Sequence, residues 1–233
     1  MNKEEFINEL KKLNIEINTK QLSDLDKFYQ LLYQENQKYN LTAITEEREV
    51  YLKHFYDSLT IVKSVTLNTQ YILDIGSGAG FPGLVLKIMF PNIKIDLLDA
   101  TEKKCKFLKL VIDNLNLKDI NVVYARAEEY AINNRNKYDV VTSRAVAPLK
   151  HLLEYGIPML KIKGTFIALK SNLESELTNI STYYQKLGLK DESIINFLLP
   201  LENSKRSLYK ITKIKETPLI YPRKYSQILK KDI

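Results

Sequence analysis

Residues 71–83, YILDIGSGAGFPG, constrain the fold more than any other stretch of this chain. An apolar run ends in Asp74, a glycine-dense loop follows, and Pro82 stands where a helix would begin. Gly76, Gly78, Gly80 and Gly83 are four of only seven glycines in 233 residues. Glycine takes positive φ and lets backbone approach a ligand with no Cβ between them. A strand, a glycine turn and a helix start bring backbone N–H groups and a positive dipole end beside a bound group. The segment predicts the first strand of an α/β sheet with a ligand at its carboxyl end.

The pattern around this loop supports that reading. Apolar runs at 71–75, 93–99, 120–125, 138–143 and 164–170 alternate with helical periodicity at 83–90, 101–117, 126–133 and 148–160. Such alternation predicts a doubly wound parallel sheet. After a helix over 173–187, the runs 192–200 and 206–215 flank the short turn Glu202-Asn203-Ser204 and predict an antiparallel hairpin. The expected fold class is α/β, a seven-stranded mixed sheet with the last strand reversed. Helical spacing over 3–13, 20–39 and 46–66 predicts an N-terminal helical cap. Three regions follow: a cap over 1–68, a Rossmann-like domain over 69–215, and a loosely held basic tail over 216–233.

Composition removes several function classes. No apolar stretch reaches the roughly 18–20 residues needed to cross a bilayer, and the N-terminus lacks the apolar core of a signal peptide. A single Cys105 and only two histidines, His54 and His151, argue against disulfides and a zinc site. A soluble, reduced, cytoplasmic, metal-free monomer is expected. The net charge of +7 favours a polyanionic partner, although many of the lysines suit a solvated surface. Only six of the 35 basic residues are arginine, so each invites a reason for its planar, forked donor geometry.

Two ligands suit the glycine loop. Gly78-Ala79-Gly80-Phe81-Pro82-Gly83 matches GxGxxG, and Asp99 follows at the distance where an acid holds a dinucleotide ribose. S-adenosylmethionine would occupy the same crevice. Asp74 favours the second ligand, since a carboxylate there repels pyrophosphate but can take a methionine ammonium, directly or through water. Asp99 suits the ribose hydroxyls in either case. The bland alternative is that both acids cap the helices that follow.

LDIGSGAGFPG, LLDATEKKCKFL (97–108), ARAEEY (125–130) and SRAVAPL (143–149) together resemble the ribosomal RNA small subunit methyltransferase G family, also known as the glucose-inhibited division protein B family. YNLTAIT (39–45) and HFYDSL (54–59) resemble its N-terminal signature, so the likeness spans about residues 20–215. It implies a class I S-adenosylmethionine-dependent methyltransferase fold and methyl transfer to N7 of a guanine in 16S rRNA of the small ribosomal subunit. By the same resemblance, Gly76 and Phe81 lie against the methyl donor, Ala127 and Glu128 lie beside its adenine, and Arg144 faces the transfer site. Together with Asp74, Gly78 and Asp99 from the loop argument, these are the expected donor-binding residues, and Arg144 is also the expected catalytic residue. Two departures stand out: Lys103-Lys104 replaces the Lys-Arg pair of many members, and the tail continues YSQILKKDI without the usual Gly and Pro.

The remaining candidates carry bland readings beside functional ones. Arg144 could pair with a neighbouring carboxylate, and Arg126 with Glu128. His54 and Asp57 share a helical face and are read as a packing contact rather than a catalytic pair. Cys105 reads as a small buried residue and His151 as structural. Lys103, Lys104, Lys106 and Lys109, with Lys205, Arg206, Lys210, Lys213 and Lys215 on the hairpin, read as a phosphate-contacting surface. A non-catalytic RNA-binding assembly factor and an NAD-dependent oxidoreductase stand as alternatives.

Overall fold

The computed structural model describes residues 1–144 and 146–233; Ala145, within SRAVAPL, lies outside the described residues. Helices α1 (Lys3–Lys12) and α2 (Thr19–Tyr39) both open with capping boxes. The Asn2 side chain accepts from the Glu5 N–H while the Glu5 carboxylate accepts from the Asn2 N–H, and Asn18 and Gln21 repeat the exchange. The third segment, expected as one helix over 46–66, is α3 (Glu47–Val50), a π-turn (Tyr51–Tyr56), α4 (Asp57–Leu59) and a 3-10 turn (Thr60–Lys63). In the π-turn the Asp57 N–H reaches back five residues to the Leu52 carbonyl. Apolar periodicity does not register one wide turn, because the backbone dihedrals stay helical.

The sheet contains β1 (Tyr71–Ile75), β2 (Lys94–Asp99), β3 (Ile120–Tyr124), β4 (Tyr138–Arg144), β5 (Leu160–Lys170), β6 (Leu189–Leu198) and β7 (Lys205–Lys213). Their order is β3-β2-β1-β4-β5-β7-β6. The first five run parallel, and β7 is antiparallel to both β5 and β6. The expected seven strands with the last reversed are therefore present, and β7 lies inside while β6 takes the edge. The crossover helices are α5 (Gly83–Met89), α6 (Glu102–Leu115), α7 (Ala127–Asn133), α8 (Leu149–Gly156) and α9 (Ile180–Leu187). The helix expected over 173–187 shortens to α9, because Asn179 takes positive φ and interrupts it.

Alternating strand residues feed two cores. Ile72, Leu97 and Val140 point to the face covered by the N-terminal helices, α5 and α6. Leu73, Leu98 and Val141 point to the face covered by α8 and α9. Phe6, Phe28 and Phe55 belong to the same cluster as Phe81 and Phe107, so the N-terminal helices share one core with the sheet. Strand β1 lies between β2 and β4, where the strand order reverses, and the glycine loop leaves β1 at this switch point.

The tail is not loosely held. Arg135 donates to the carbonyl oxygens of Tyr221 (2.7 Å) and Thr217, while Tyr221 and Ile228 join the second core. The side chain and backbone N–H of Arg223 grip the fully buried Glu154 carboxylate at 2.7–3.0 Å. Scattered tail residues with no periodicity form this strap, so its docking leaves little trace in the sequence. No helix among the described residues is long and apolar enough to cross a membrane.

Candidate functional site

A cavity of about 700 Å³ opens at the carboxyl ends of β1 to β5. The glycine loop forms its floor. Gly76 has φ +72°, and a Cβ there would stand 2.5 Å from a Val146 methyl, so only glycine fits. The Gly76 N–H donates to the Leu98 carbonyl (2.7 Å) and the Gly78 N–H to Asp99 Oδ2 (2.9 Å). Asp99 Oδ1 accepts from the Thr101 N–H (2.8 Å), so the acid braces two loops while still lining the cavity.

Asp74 sits beneath the loop instead of on the cavity wall. It is fully buried, its Oδ2 accepts from the Gly83 N–H (3.0 Å), and its Oδ1 has no partner among the described residues. Burial pushes its carboxyl up to about 7. Of the two expected ways for Asp74 to meet a ligand ammonium, directly or through water, this arrangement does not offer the direct one. The capping alternative describes Asp74 better, since Gly83 begins α5.

Gly76, Gly78, Phe81, Asp99, Ala127, Glu128 and Arg144 all line the cavity. Phe81 stacks on His54 with ring centroids 4.2 Å apart, and the Arg144 guanidinium lies 5.2 Å from its ring centroid. Glu128 accepts from Arg126 Nε (2.5 Å), the pairing considered for these two residues. Cys105 is buried as expected, and His151 lies off the cavity wall.

Sequence reasoning allowed Arg144 a carboxylate partner, which is Asp57, but missed the rest of what surrounds it. Its Nη1 donates to the Lys53 carbonyl (2.8 Å) and to Asp57 Oδ2 (3.2 Å), and its Nη2 donates to His54 Nδ1 (3.1 Å). Asp57 Oδ1 accepts from Arg206 Nε (3.1 Å). Two guanidinium groups thus share one buried carboxylate and leave a net positive charge. Arginine can only donate, so His54 Nδ1 accepts and its Nε2–H points to Thr42 Oγ1 (2.9 Å). Burial, and then the nearby Arg144 charge, push His54 down to about 3, keeping it neutral. Lys53, His54 and Asp57 come from the π-turn and its exit, so the wide turn aims three acceptors at one guanidinium. His54 and Asp57, read as a packing contact, belong to the site. The HFYDSL motif was the available signal, but its partners lie about 90 and 150 residues away along the chain.

The cavity has two chemically distinct ends. Asp99, Lys104, Arg126 and Glu128 lie at the β2–β3 end, two acids facing two bases. Lys53, Arg144, Lys170 and Arg206 lie at the β4–β7 end, where cations outnumber acids. Lys213, read as part of the cationic surface, is instead fully buried. It donates to Asn136 Oδ1 (2.6 Å) and the Leu160 carbonyl (2.8 Å), and burial lowers it to about 8. The β7 pleat turns this residue inward, opposite Arg206 and Lys210.

Comparison with known proteins places this geometry. Residues 21–209 match the GidB family model, described as rRNA small subunit methyltransferase G. The chain is 46% identical over 205 residues to the ribosomal RNA small subunit methyltransferase G of Acetivibrio thermocellus, covering 86% of this chain and 85% of that protein. It is 42% identical over 228 residues to the Listeria monocytogenes protein of the same name, covering 96% of each. Among solved structures, a SAM dependent methyltransferase from Aquifex aeolicus superposes with TM-score 0.58 at 12% identity, covering 75% of this chain and 97% of that one. TYW2 of M. jannaschii, solved in complex with AdoMet, superposes with TM-score 0.51 at 14% identity over 64% of this chain and 72% of that one. These two likenesses establish the fold alone. Motifs, fold and a family match spanning both ends of the cavity lead to one conclusion: the chain belongs to the ribosomal RNA small subunit methyltransferase G family.

Proposed function

We propose that this protein transfers the methyl group of S-adenosylmethionine to N7 of a guanine in 16S rRNA of the small ribosomal subunit. One observation carries the reading: a single cavity pairs a glycine-loop end suited to a nucleoside with a cationic end suited to RNA, within a chain whose family match spans both. The Gly76 cradle, which a Cβ would fill, and the acid Asp99 on the wall fit the donor.

S-adenosylmethionine, when bound, supplies a sulfonium methyl that an in-line nucleophile can take. Gly76, Gly78 and Phe81 form the floor against which it would lie, Asp99 would hold its ribose, and Ala127 and Glu128 would border its adenine. Asp74 acts indirectly, holding the Gly83 N–H and with it the loop's return into α5. Arg144 orients the guanine. Its contacts with Lys53, Asp57 and His54 occupy three of the five guanidinium N–H donors, leaving two for O6 or a phosphate. Guanine N7 carries an in-plane lone pair, so no proton must leave and no general base is needed. A neutral His54 already bonded to Arg144 agrees with that chemistry. The protein's contribution is alignment. A metal-free reaction by a cytoplasmic monomer completes the proposal.

The test is tritiated-methyl transfer to unmethylated small-subunit RNA, followed by mapping of the modified nucleotide. Incorporation at a guanine N7 is expected. No incorporation under conditions where S-adenosylhomocysteine binds would favour a non-catalytic assembly factor. Binding of NADH in place of S-adenosylhomocysteine would favour an oxidoreductase.

A further inference from the structure

The C-terminal strap ends in an unexpected place. Arg223, fixed on the buried Glu154, and Ile228, sunk in the second core, bracket the short helix α10 (Tyr225–Ile228). Between these anchors Tyr225 reaches the cavity wall at the β2–β3 end. Its ring centroid lies 4.0 Å from the Arg126 guanidinium carbon, and Arg126 is itself fixed by Glu128. A flat ring, a planar guanidinium and a carboxylate therefore meet at one corner of the cavity, with Ala125, Ala127 and Tyr155 supplying apolar surface beside them.

This corner suits a nucleobase better than a phosphate. Arg126 has its charge balanced by Glu128, and Asp99 has Lys104 3.9 Å away, so this corner carries no surplus cation. Surplus cations collect at the other end of the cavity, around Arg144 and Arg206. A planar, uncharged ring with hydrogen-bonding edges is the ligand that an aromatic face and a paired carboxylate would select.

We propose that the C-terminal segment is a wall of the donor pocket, and that Tyr225, backed by Arg126, stacks against the adenine of the methyl donor. The inference rests on the donor reading given above and adds to it a residue from the tail, in the stretch YSQILKKDI that departs from the family's usual pattern. Tyr225 is 40% exposed, so replacing it leaves the core intact.

Calorimetry with S-adenosylhomocysteine on the full chain and on Tyr225→Ala, Tyr225→Phe and Tyr225→Leu tests the proposal. Loss of one base–aromatic stack predicts roughly five- to 150-fold weaker binding for Tyr225→Ala. Tyr225→Phe should stay within about twofold of wild type and Tyr225→Leu should fall between, as expected when ring area carries the effect. 5′-Methylthioadenosine, which keeps the adenine and lacks the amino acid, should lose affinity by the same factor. Affinity for unmethylated small-subunit RNA should not change. Unchanged S-adenosylhomocysteine binding by Tyr225→Ala overturns the inference while leaving the donor reading intact. Weakened RNA binding with unchanged S-adenosylhomocysteine binding overturns it too, assigning the ring to an RNA nucleotide. Failure of the wild-type chain to bind S-adenosylhomocysteine sinks both readings.

Discussion

Replacing Asp74 by asparagine isolates the free energy of a carboxylate buried beneath the glycine loop. Asp74 is wholly buried and one oxygen has no partner, so burial raises its pKa from the ordinary 3.8 to about 7. The unfolded chain releases this proton near the ordinary value, whereas the folded chain keeps it until about pH 7. The native state therefore holds more protons across that window, and stability falls as pH rises through it. At 1.36 kcal/mol per unit, the full loss above pH 7 is about 4 kcal/mol, of which about 2–3 falls between pH 5 and pH 8. His54 works in the opposite sense. Its pKa drops to about 3, so its contribution is present above the ordinary 6.5 and is lost as pH falls towards 3. The two slopes overlap and would mask each other in the wild-type curve alone. Asparagine keeps an acceptor for the Gly83 N–H but carries no charge, and His54 is common to both proteins. The difference in unfolding free energy between Asp74→Asn and wild type, from urea titrations at several pH values, therefore reports Asp74 alone. That difference should shift by about 2–3 kcal/mol in favour of the variant between pH 5 and pH 8. A difference that stays flat over this range would refute the account of Asp74 as a carboxylate held protonated by burial.

Asp57→Asn should leave Arg144 and Arg206 without their shared charge, lowering single-turnover methyl transfer by at least about tenfold while S-adenosylhomocysteine affinity stays within about twofold. Glu154→Gln removes the buried charge that Arg223 grips; a loss of about 3 kcal/mol in urea unfolding is expected, with new tryptic cleavage after Arg223 or Lys224. Gly76→Ala forces a side chain into positive φ and against Val146, and should cost about 1–3 kcal/mol of stability and weaken donor binding in calorimetry.

Much of the scaffold was legible because the relevant forces are local. Apolar runs bounded by turn residues located every strand of the sheet, and the glycine cluster marked the switch point. The π-turn at 51–56 was hidden because nearly all of its side chains are buried, leaving no apolar face whose phase a changed hydrogen-bond interval could shift. The Arg144 clamp was hidden for a different reason. It joins Asp57 to Arg206 across 149 positions, a separation over which no periodicity carries information. Lys213 misled in the opposite way: a lysine on a strand reads as surface until the pleat and a ring of carbonyl acceptors enclose it. The tail offered neither apolar rhythm nor turn chemistry, yet Arg223 on a buried glutamate, Arg135 on two tail carbonyls, and Tyr221 and Ile228 in the core together dock it.

The position of β7 also bears on when the protein becomes competent during its own synthesis. The glycine loop and the helices that hold Lys53, His54 and Asp57 emerge from the ribosome early, since chains are made N-terminus first. Arg206, which completes the clamp, arrives on β7, and β7, paired with β6 as a hairpin, docks on β5 to complete the sheet. Until then β5 presents an open edge, and Asp57 has only one of its two guanidinium partners. Completion of the sheet and completion of the cationic centre are thus one late event, reached only after β7 has left the ribosome that makes it.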